Sequence, residues 1–133
     1  MALLFIDRVL KSLARSGASA GEGRAILKFE LFRNSGIAFS LPFSGPLIWL
    51  ASACILAAIA AMAVKDFSVK NYARVEAYVL FFLGACSNLF DRISYGYTVD
   101  YLIFWGRSAV NVADGMIVAG ACWLILRDAR RAS

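Results

Sequence analysis

The sequence contains no histidine among its 133 residues. Without histidine the chain has no Ser-His or Cys-His catalytic pair and no histidine-ligated metal, so those classes of enzyme are excluded. Charged residues are also scarce, at 17% of the chain, and residues 35–64 contain none. An uncharged run of this length exceeds the roughly 20 apolar residues that are needed to cross a bilayer.

Cysteine is the next scarce residue type, with only three in the chain. Cys54, Cys86 and Cys122 each lie within an apolar segment. Their number is odd, and their spacing matches neither a zinc site nor a redox motif. We interpret them as small apolar packing residues.

The net charge of +5 could suggest a nucleic-acid partner. The basic residues, however, flank apolar segments instead of forming one patch: Lys65, Lys70, Arg74, Arg127, Arg130 and Arg131. Short loops rich in Lys and Arg stay on the cytoplasmic side of a membrane. We therefore expect one loop and the C-terminus to be cytoplasmic, and we predict no nucleic-acid partner.

Hydrophobic residues make up 61% of the chain, well above the about 45–50% of soluble domains. We predict a single membrane domain over residues 1–133, an all-α integral membrane helical bundle with a small extracytoplasmic β element. Full spans are expected at about residues 44–64, 75–92 and 110–127. A partial first helix is expected at residues 1–15, with its apolar stripe lying at the membrane interface.

The β element is predicted over residues 24–41, outside the membrane. Within it, ILKFELF alternates apolar and charged side chains, which is typical of a half-exposed strand. The turn-forming NSG follows, and IAFSL is the expected partner strand.

Polar side chains gather at the predicted outer ends of the last two spans. In SNLFDR, the residues Asn88, Asp91 and Arg92 fall at i, i+3 and i+4 and share one helix face. In VNVAD, Asn111 and Asp114 open the last span. We expect these clusters to meet near the outer membrane surface.

Asp100, in the loop 93–109, and the turn at Asn34 are expected at the same level. Ionisable groups that face the interior of a membrane bundle are candidates for a functional site. Two carboxylates held close together, such as Asp100 and Asp114, share a proton. One can then take a proton from an attacking water while the other donates a proton to a peptide carbonyl oxygen, without histidine or metal.

Other interpretations of these residues remain open from the sequence. Asp114 could be a helix N-terminal charge that the helix dipole favours, Asp100 an exposed loop residue, and Asp91 with Arg92 a helix-end charge pair. Three aspartates could also hold a hard cation through oxygen ligands.

The motifs resemble those of the bacterial lipoprotein signal peptidases (signal peptidase II), which are intramembrane aspartic proteases. Four blocks carry the resemblance in order over roughly residues 7–120: NSGIAFS, SNLFDR, GYTVDY and VNVAD, the last followed by Ile117 and Gly120. The resemblance implies that Asp100 and Asp114 are the catalytic pair. It further implies supporting or substrate-contacting positions, with Asp91 structural: Asn34, Asn88, Asp91, Arg92 and Asn111.

The resemblance implies that the strands around Asn34, within residues 24–41, form a cradle over the site. It also implies a substrate and a location. The substrates would be prolipoprotein signal peptides, cleaved just before a lipid-modified cysteine, without metal or organic cofactor. The enzyme would be a monomer surrounded by membrane lipids in the bacterial inner membrane, multi-pass, with a cytoplasmic C-terminus and its active site near the outer face. Asp7 and Lys11 match an Asp-x-x-x-Lys pattern at the outer end of the family's first helix.

The chain departs from the family pattern at several positions. Ser87 replaces a glycine, which is expected to crowd helix packing; Tyr101 and Val110 each replace a phenylalanine, and the valine of the third block is shifted to Val99. The inner half of the family's first span is missing from residues 1–15. Two alternatives therefore stay open: an inactive relative that binds lipoprotein precursors, and a non-enzymatic membrane protein with a proton or cation pathway.

Overall fold

The computed structural model describes residues 1–21, 26–35, 45–106 and 108–132. Within these ranges the chain forms four helices and three strands, in the order α1 (Ala2–Arg15), β1 (Leu27–Asn34), α2 (Gly45–Ser68), α3 (Tyr72–Tyr95), β2 (Thr98–Phe104), β3 (Ser108–Val110) and α4 (Val112–Ala132). The chain is thus mostly helical with one small sheet, which confirms the general form of the predicted fold.

Two helices in the described part of the chain are long and apolar enough to cross a membrane. They are Trp49–Ser68, within α2, and Tyr72–Tyr95, the whole of α3. Only 6% of the most apolar stretch of α2 is buried inside the protein, so this surface faces the surroundings as it would in lipid. The third predicted span lies in α4, where charged residues near both ends leave a shorter uncharged stretch. The count of three spans therefore stays a prediction.

Helices α3 and α4 pack with their backbones close together. A Cβ atom at Gly84 would lie 2.5 Å from the carbonyl oxygen of Ala113, and one at Gly120 would lie 2.8 Å from the carbonyl oxygen of Ala77. Glycine is therefore required at both contacts, as is common where membrane helices approach closely. This packing places the first turn of α4 against α3 and brings VNVAD beside SNLFDR.

The sheet has the order β1-β2-β3 and is antiparallel. Strand β1 pairs with β2 from Leu27 opposite Phe104 to Asn34 opposite Thr98, with an irregularity between Phe29 and Phe32. Residues 98–104 and 108–109, expected to be part of a loop, and Val110, expected to begin the last span, therefore belong to strands. The partner strand predicted at IAFSL falls outside the described residues.

Helix α1 turns its polar face inward. Asp7 and Lys11 form the expected i,i+4 ion pair, with 3.2 Å between Lys11 Nζ and Asp7 Oδ2, but both side chains are buried. The apolar side chains of α1 are exposed instead, with Phe5 70% and Leu13 46% accessible. The charged face of α1, the helix expected at the membrane interface, therefore packs against the other elements. The polar groups that this face contacts lie in the interior of the protein.

Candidate active site

Asp114 lies in the first turn of α4 and closes a reciprocal cap with Asn111. The Asp114 amide donates to Asn111 Oδ1 at 2.8 Å, and the Asn111 amide donates to Asp114 Oδ2 at 3.0 Å. This capping box satisfies two backbone donors at the helix start. The helix dipole favours a negative charge at this position, so the role of Asp114 as a helix N-terminal charge and a catalytic role are compatible.

Two further backbone donors at the start of α4 are satisfied by other elements. The Val112 amide donates to the Tyr101 hydroxyl of β2 at 2.9 Å, and the Ala113 amide donates to Asp7 Oδ1 of α1 at 3.1 Å. Helix starts leave such donors without intrahelical partners. Here they fasten α4 to both β2 and α1.

Asp100 is buried, with 1% of the residue accessible. Its Oδ2 accepts a hydrogen bond from Asn34 Nδ2 at 3.0 Å, and its Oδ1 accepts one from Asn111 Nδ2 at 2.6 Å. Asp100 is the partner of Phe32 in the β1–β2 register, and Asn34 lies two residues further along the same face of the strand. The alternative that Asp100 is an exposed loop residue is therefore wrong.

Neutral amides connect the two aspartates. Asn88 Nδ2 donates to Asp114 Oδ1 at 2.8 Å. Asn111 Nδ2, which donates to Asp100, also lies 3.2 Å from Asn88 Oδ1. Asn111 thus bonds to Asp100 through its side chain and to Asp114 through its backbone. The structure brings the three predicted asparagines and both predicted aspartates together.

Burial raises the pKa of Asp100 from its ordinary value of 3.8 to about 6. The hydrogen bonds from Asn34 and Asn111 oppose this shift, whereas the negative charge of Asp114 adds to it. A carboxyl with such a pKa changes its protonation near neutral pH, as a general acid or base requires.

Arg92 lies close enough to Asp114, Asp100 and Asp91 for its charge to interact with all three. Asp91 is engaged by other groups of the protein. It is fully buried, forms ion pairs with Arg8 and with Lys11 (2.7 Å to Oδ2), and accepts from the Val99 amide at 3.2 Å. These contacts tie α1, α3 and the start of β2 together, so Asp91 does more than form a helix-end charge pair.

Sequence reasoning did not place Lys11, Ser87 and Tyr101 in the site. Lys11 Nζ donates to Asn88 Oδ1 at 2.8 Å, and the only sequence signal for it is its spacing from Asp7. The Ser87 hydroxyl donates to Asp7 Oδ2 at 2.6 Å. Ser87 was expected to crowd the helices, but its side chain is instead accommodated as a hydrogen-bonding partner.

The alternative of a three-aspartate cation site finds no support in the described residues. Among them, no three Asp, Glu, Cys or His side chains are grouped as ligands of one metal ion.

An open apolar groove of about 540 Å³ borders Asn111 and Asp114. It runs between α1, α3, the strands and α4, and most of its lining is aliphatic: Leu3, Leu80, Leu102, Val112, Met116 and Val118. One end of the groove therefore meets the polar site, and the rest is suited to an apolar ligand.

Two helices long and apolar enough to cross a membrane, and two aspartates connected by hydrogen bonds through asparagine side chains, are features expected of a membrane protein with a buried carboxylate site. The model of the family described as signal peptidase (SPase) II matches residues 1–129 of the chain. The lipoprotein signal peptidases of Brucella ovis and Brucella melitensis are each 35% identical to it, over 94% of this chain and 83% of theirs. The chain therefore belongs to the signal peptidase II family.

Two solved structures share the fold. Each is described as a bacterial membrane enzyme studied by the in meso method, and each is 23% identical to this chain. One has a TM-score of 0.82 and covers 98% of this chain and 85% of its own; the other has a TM-score of 0.76 and covers 94% and 86%. The architecture described above is thus the fold of these two structures.

Proposed function

We propose that the chain is an intramembrane aspartic endopeptidase that removes signal peptides from lipid-modified prolipoproteins, cleaving just before the diacylglyceryl-cysteine. The observation that carries the proposal is that Asn111 bonds to both aspartates. Its side-chain Nδ2 donates to Asp100 at 2.6 Å, and its backbone N–H donates to Asp114 at 3.0 Å. The names of the Brucella relatives, lipoprotein signal peptidases, support the substrate class.

In this mechanism the two aspartates share one proton. The ionised carboxylate takes a proton from water as the water attacks the peptide carbonyl, and the protonated carboxyl donates its proton to the carbonyl oxygen. The pair titrates as a unit, so the two roles belong to the dyad and neither is assigned to Asp100 or Asp114 separately.

The surroundings of the dyad suit this chemistry. Asn34, Asn88 and Asn111 donate hydrogen bonds to the carboxylates, so they orient the acids without supplying a full positive charge. Asp100 is nearly inaccessible to solvent, and exclusion of water strengthens electrostatic interactions in the site.

The apolar groove beside Asp114 supports an apolar substrate. We propose that it receives the membrane-embedded part of the prolipoprotein, so that the scissile bond reaches the dyad at the polar end of the groove. The basic residues at 65–74 and 127–131 support a cytoplasmic position for these segments. The dyad, at the other end of α3 and α4, then lies near the outer face of the inner membrane.

The test is cleavage of a diacylglyceryl-modified prolipoprotein by the purified chain. We expect cleavage by the parent and a loss of at least about 10³-fold in Asp100→Asn and in Asp114→Asn, because each removes a proton-transfer group. Asp66→Asn is the matched control, since Asp66 pairs with Arg74 at 3.4 Å, at the other end of α3. It should cleave like the parent.

Retained cleavage in either dyad variant would refute the aspartic mechanism. A folded parent that fails to cleave, but binds the precursor, would instead favour the inactive relative.

A further inference from the structure

The hydroxyl of Tyr101 lies where three elements meet. Tyr101 itself belongs to β2. Its hydroxyl donates to Asp7 Oδ1 of α1 at 3.0 Å and accepts from the Val112 amide of α4 at 2.9 Å. Tyr101 is fully buried. Its ring packs on Phe29 of β1, with 5.6 Å between the ring centroids.

Neighbouring residues of β2 bond to neighbouring residues at the start of α4. Asp100 accepts from Asn111 Nδ2 at 2.6 Å, and Tyr101 accepts from the Val112 amide at 2.9 Å. Successive side chains of a strand point to opposite faces, so β2 is held to α4 from both of its faces. The position of Asp114 relative to Asp100 depends on this double attachment.

We propose that in this chain the Tyr101 hydroxyl, at a position where the family pattern has phenylalanine, is a positioning residue for the two-aspartate reaction, through its bond to the first turn of α4. This inference rests on the proposed function. The hydroxyl acts through Val112 and Asp7 and does not touch the reacting atoms, whereas the ring contributes packing that a phenylalanine would keep.

Removal of the hydroxyl would leave the Val112 amide without this acceptor and one oxygen of Asp7 with one donor fewer. The Val112 amide, which is part-buried, must then find another acceptor, and the first turn of α4 can do so by moving relative to β2. A displacement of this turn moves Asp114, and small misplacements of catalytic groups cost about 10²-fold in rate.

The experiment compares Tyr101→Phe with the parent on the same lipid-modified prolipoprotein. We expect kcat to fall by about 10- to 100-fold while KM stays within about twofold, because the groove is unchanged. Tyr78→Phe is the matched control: Tyr78 is also buried, but its hydroxyl accepts from Arg74 at 3.0 Å at the other end of α3. Its kcat should equal that of the parent.

Hydrogen exchange gives a readout that does not depend on turnover. The amides of residues 112–114 should exchange faster in Tyr101→Phe than in the parent, and Tyr78→Phe should leave them unchanged. Phe29→Leu adds a second comparison, because it loosens the ring packing and keeps the hydroxyl; it should lower Tm and preserve kcat.

The outcomes separate this inference from the proposed function. A parent that does not cleave refutes both, whereas cleavage by the parent with equal kcat in Tyr101→Phe overturns the positioning role alone. The role is also overturned if Tyr78→Phe loses as much kcat as Tyr101→Phe, or if Tyr101→Phe does not fold, because the hydroxyl would then be purely structural.

Discussion

At the scale of single residues, the most unusual group is Lys11. Its side chain is 1% accessible and lies 3.2 Å from Asp7 and 2.7 Å from Asp91. A buried ammonium is tolerated only where partners surround it, and here Asn88 supplies a further acceptor at 2.8 Å. The cation therefore joins α1 to the residues of α3 that support the dyad.

We predict that Lys11→Met lowers the free energy of unfolding by about 3–5 kcal/mol, because it leaves buried carboxylates without their cation. Lys28→Met is the control. Lys28 lies half-buried in β1 and forms no ion pair within the described residues, so its replacement should change stability by at most about 0.5 kcal/mol. Denaturant unfolding in detergent measures both, and equal losses would contradict the assignment of a buried cation cluster.

The pKa of Asp100 gives a second prediction at this scale. The pKa of Asp100 is about 6 in the folded chain, against an ordinary value of 3.8. Between pH 3.8 and about pH 6, the folded state therefore keeps a proton on Asp100 that the unfolded state has already released. The stability contributed by Asp100 is therefore fully present below about pH 3.8 and is lost as pH rises through about 6.

Infrared titration of the protonated carboxyl band tests this prediction. The band should disappear with a midpoint near pH 6 in the parent and be weaker in Asp100→Asn. In Asp114→Asn the midpoint should fall, because the charge of Asp114 raises the pKa of Asp100. An unchanged midpoint in Asp114→Asn would show that the two carboxyls are not coupled.

At the scale of elements, the contact between α3 and α4 positions the site. Gly84 lies against the carbonyl oxygen of Ala113, one residue before Asp114, and Gly120 repeats the close approach further along α4. Gly115, in the same helix, has nothing within 4 Å of the place where a Cβ would lie. The three glycines thus provide a matched set of two contacts and one open position.

Gly84→Ala and Gly120→Ala should each destabilise the protein by about 1–3 kcal/mol, because an added methyl group forces the helices apart. Gly84→Ala should also reduce cleavage, since the displaced backbone carries Asp114. Gly115→Ala should be neutral or stabilising by up to about 1 kcal/mol, because alanine favours a helix over glycine. Thermal unfolding and the cleavage assay measure these effects, and equal behaviour of all three variants would contradict the close packing.

At the scale of the whole molecule, Arg74 connects three helices at the end opposite the dyad. It pairs with Asp66 of α2 at 3.4 Å and with Asp128 of α4 at 3.5 Å, from its own position in α3. Residues 74 and 88 of α3 are separated by about 21 Å along the helix axis. The two ends of the bundle therefore have separate polar attachments.

We predict that Arg74→Met lowers the free energy of unfolding by about 1.5–3 kcal/mol, as expected for lost hydrogen bonds to charged groups, and leaves kcat unchanged. Lys65→Met is the control, because Lys65 is exposed and forms no ion pair in the described part of the chain. A fall in kcat for Arg74→Met as large as that for Gly84→Ala would show that the end of the bundle at Arg74 also controls the dyad.

The sequence by itself determined the features that depend on neighbouring residues. Uncharged apolar runs produce the helices α2 and α3, the alternation in ILKFELF produces β1, and the spacing of Asn111 and Asp114 produces a capping box. The absence of histidine excluded whole classes of catalysis. Hydropathy and periodicity act over a few residues, so the sequence contains them directly.

The tertiary structure alone decided which distant residues meet. It paired β1 with β2, buried Lys11, and gave Ser87 and Tyr101 hydrogen bonds to Asp7 that their positions in the motifs do not indicate. Asp7 reaches the start of α4 across 106 positions in the chain. Such contacts depend on how closely whole helices pack, and no local pattern of residues encodes that distance.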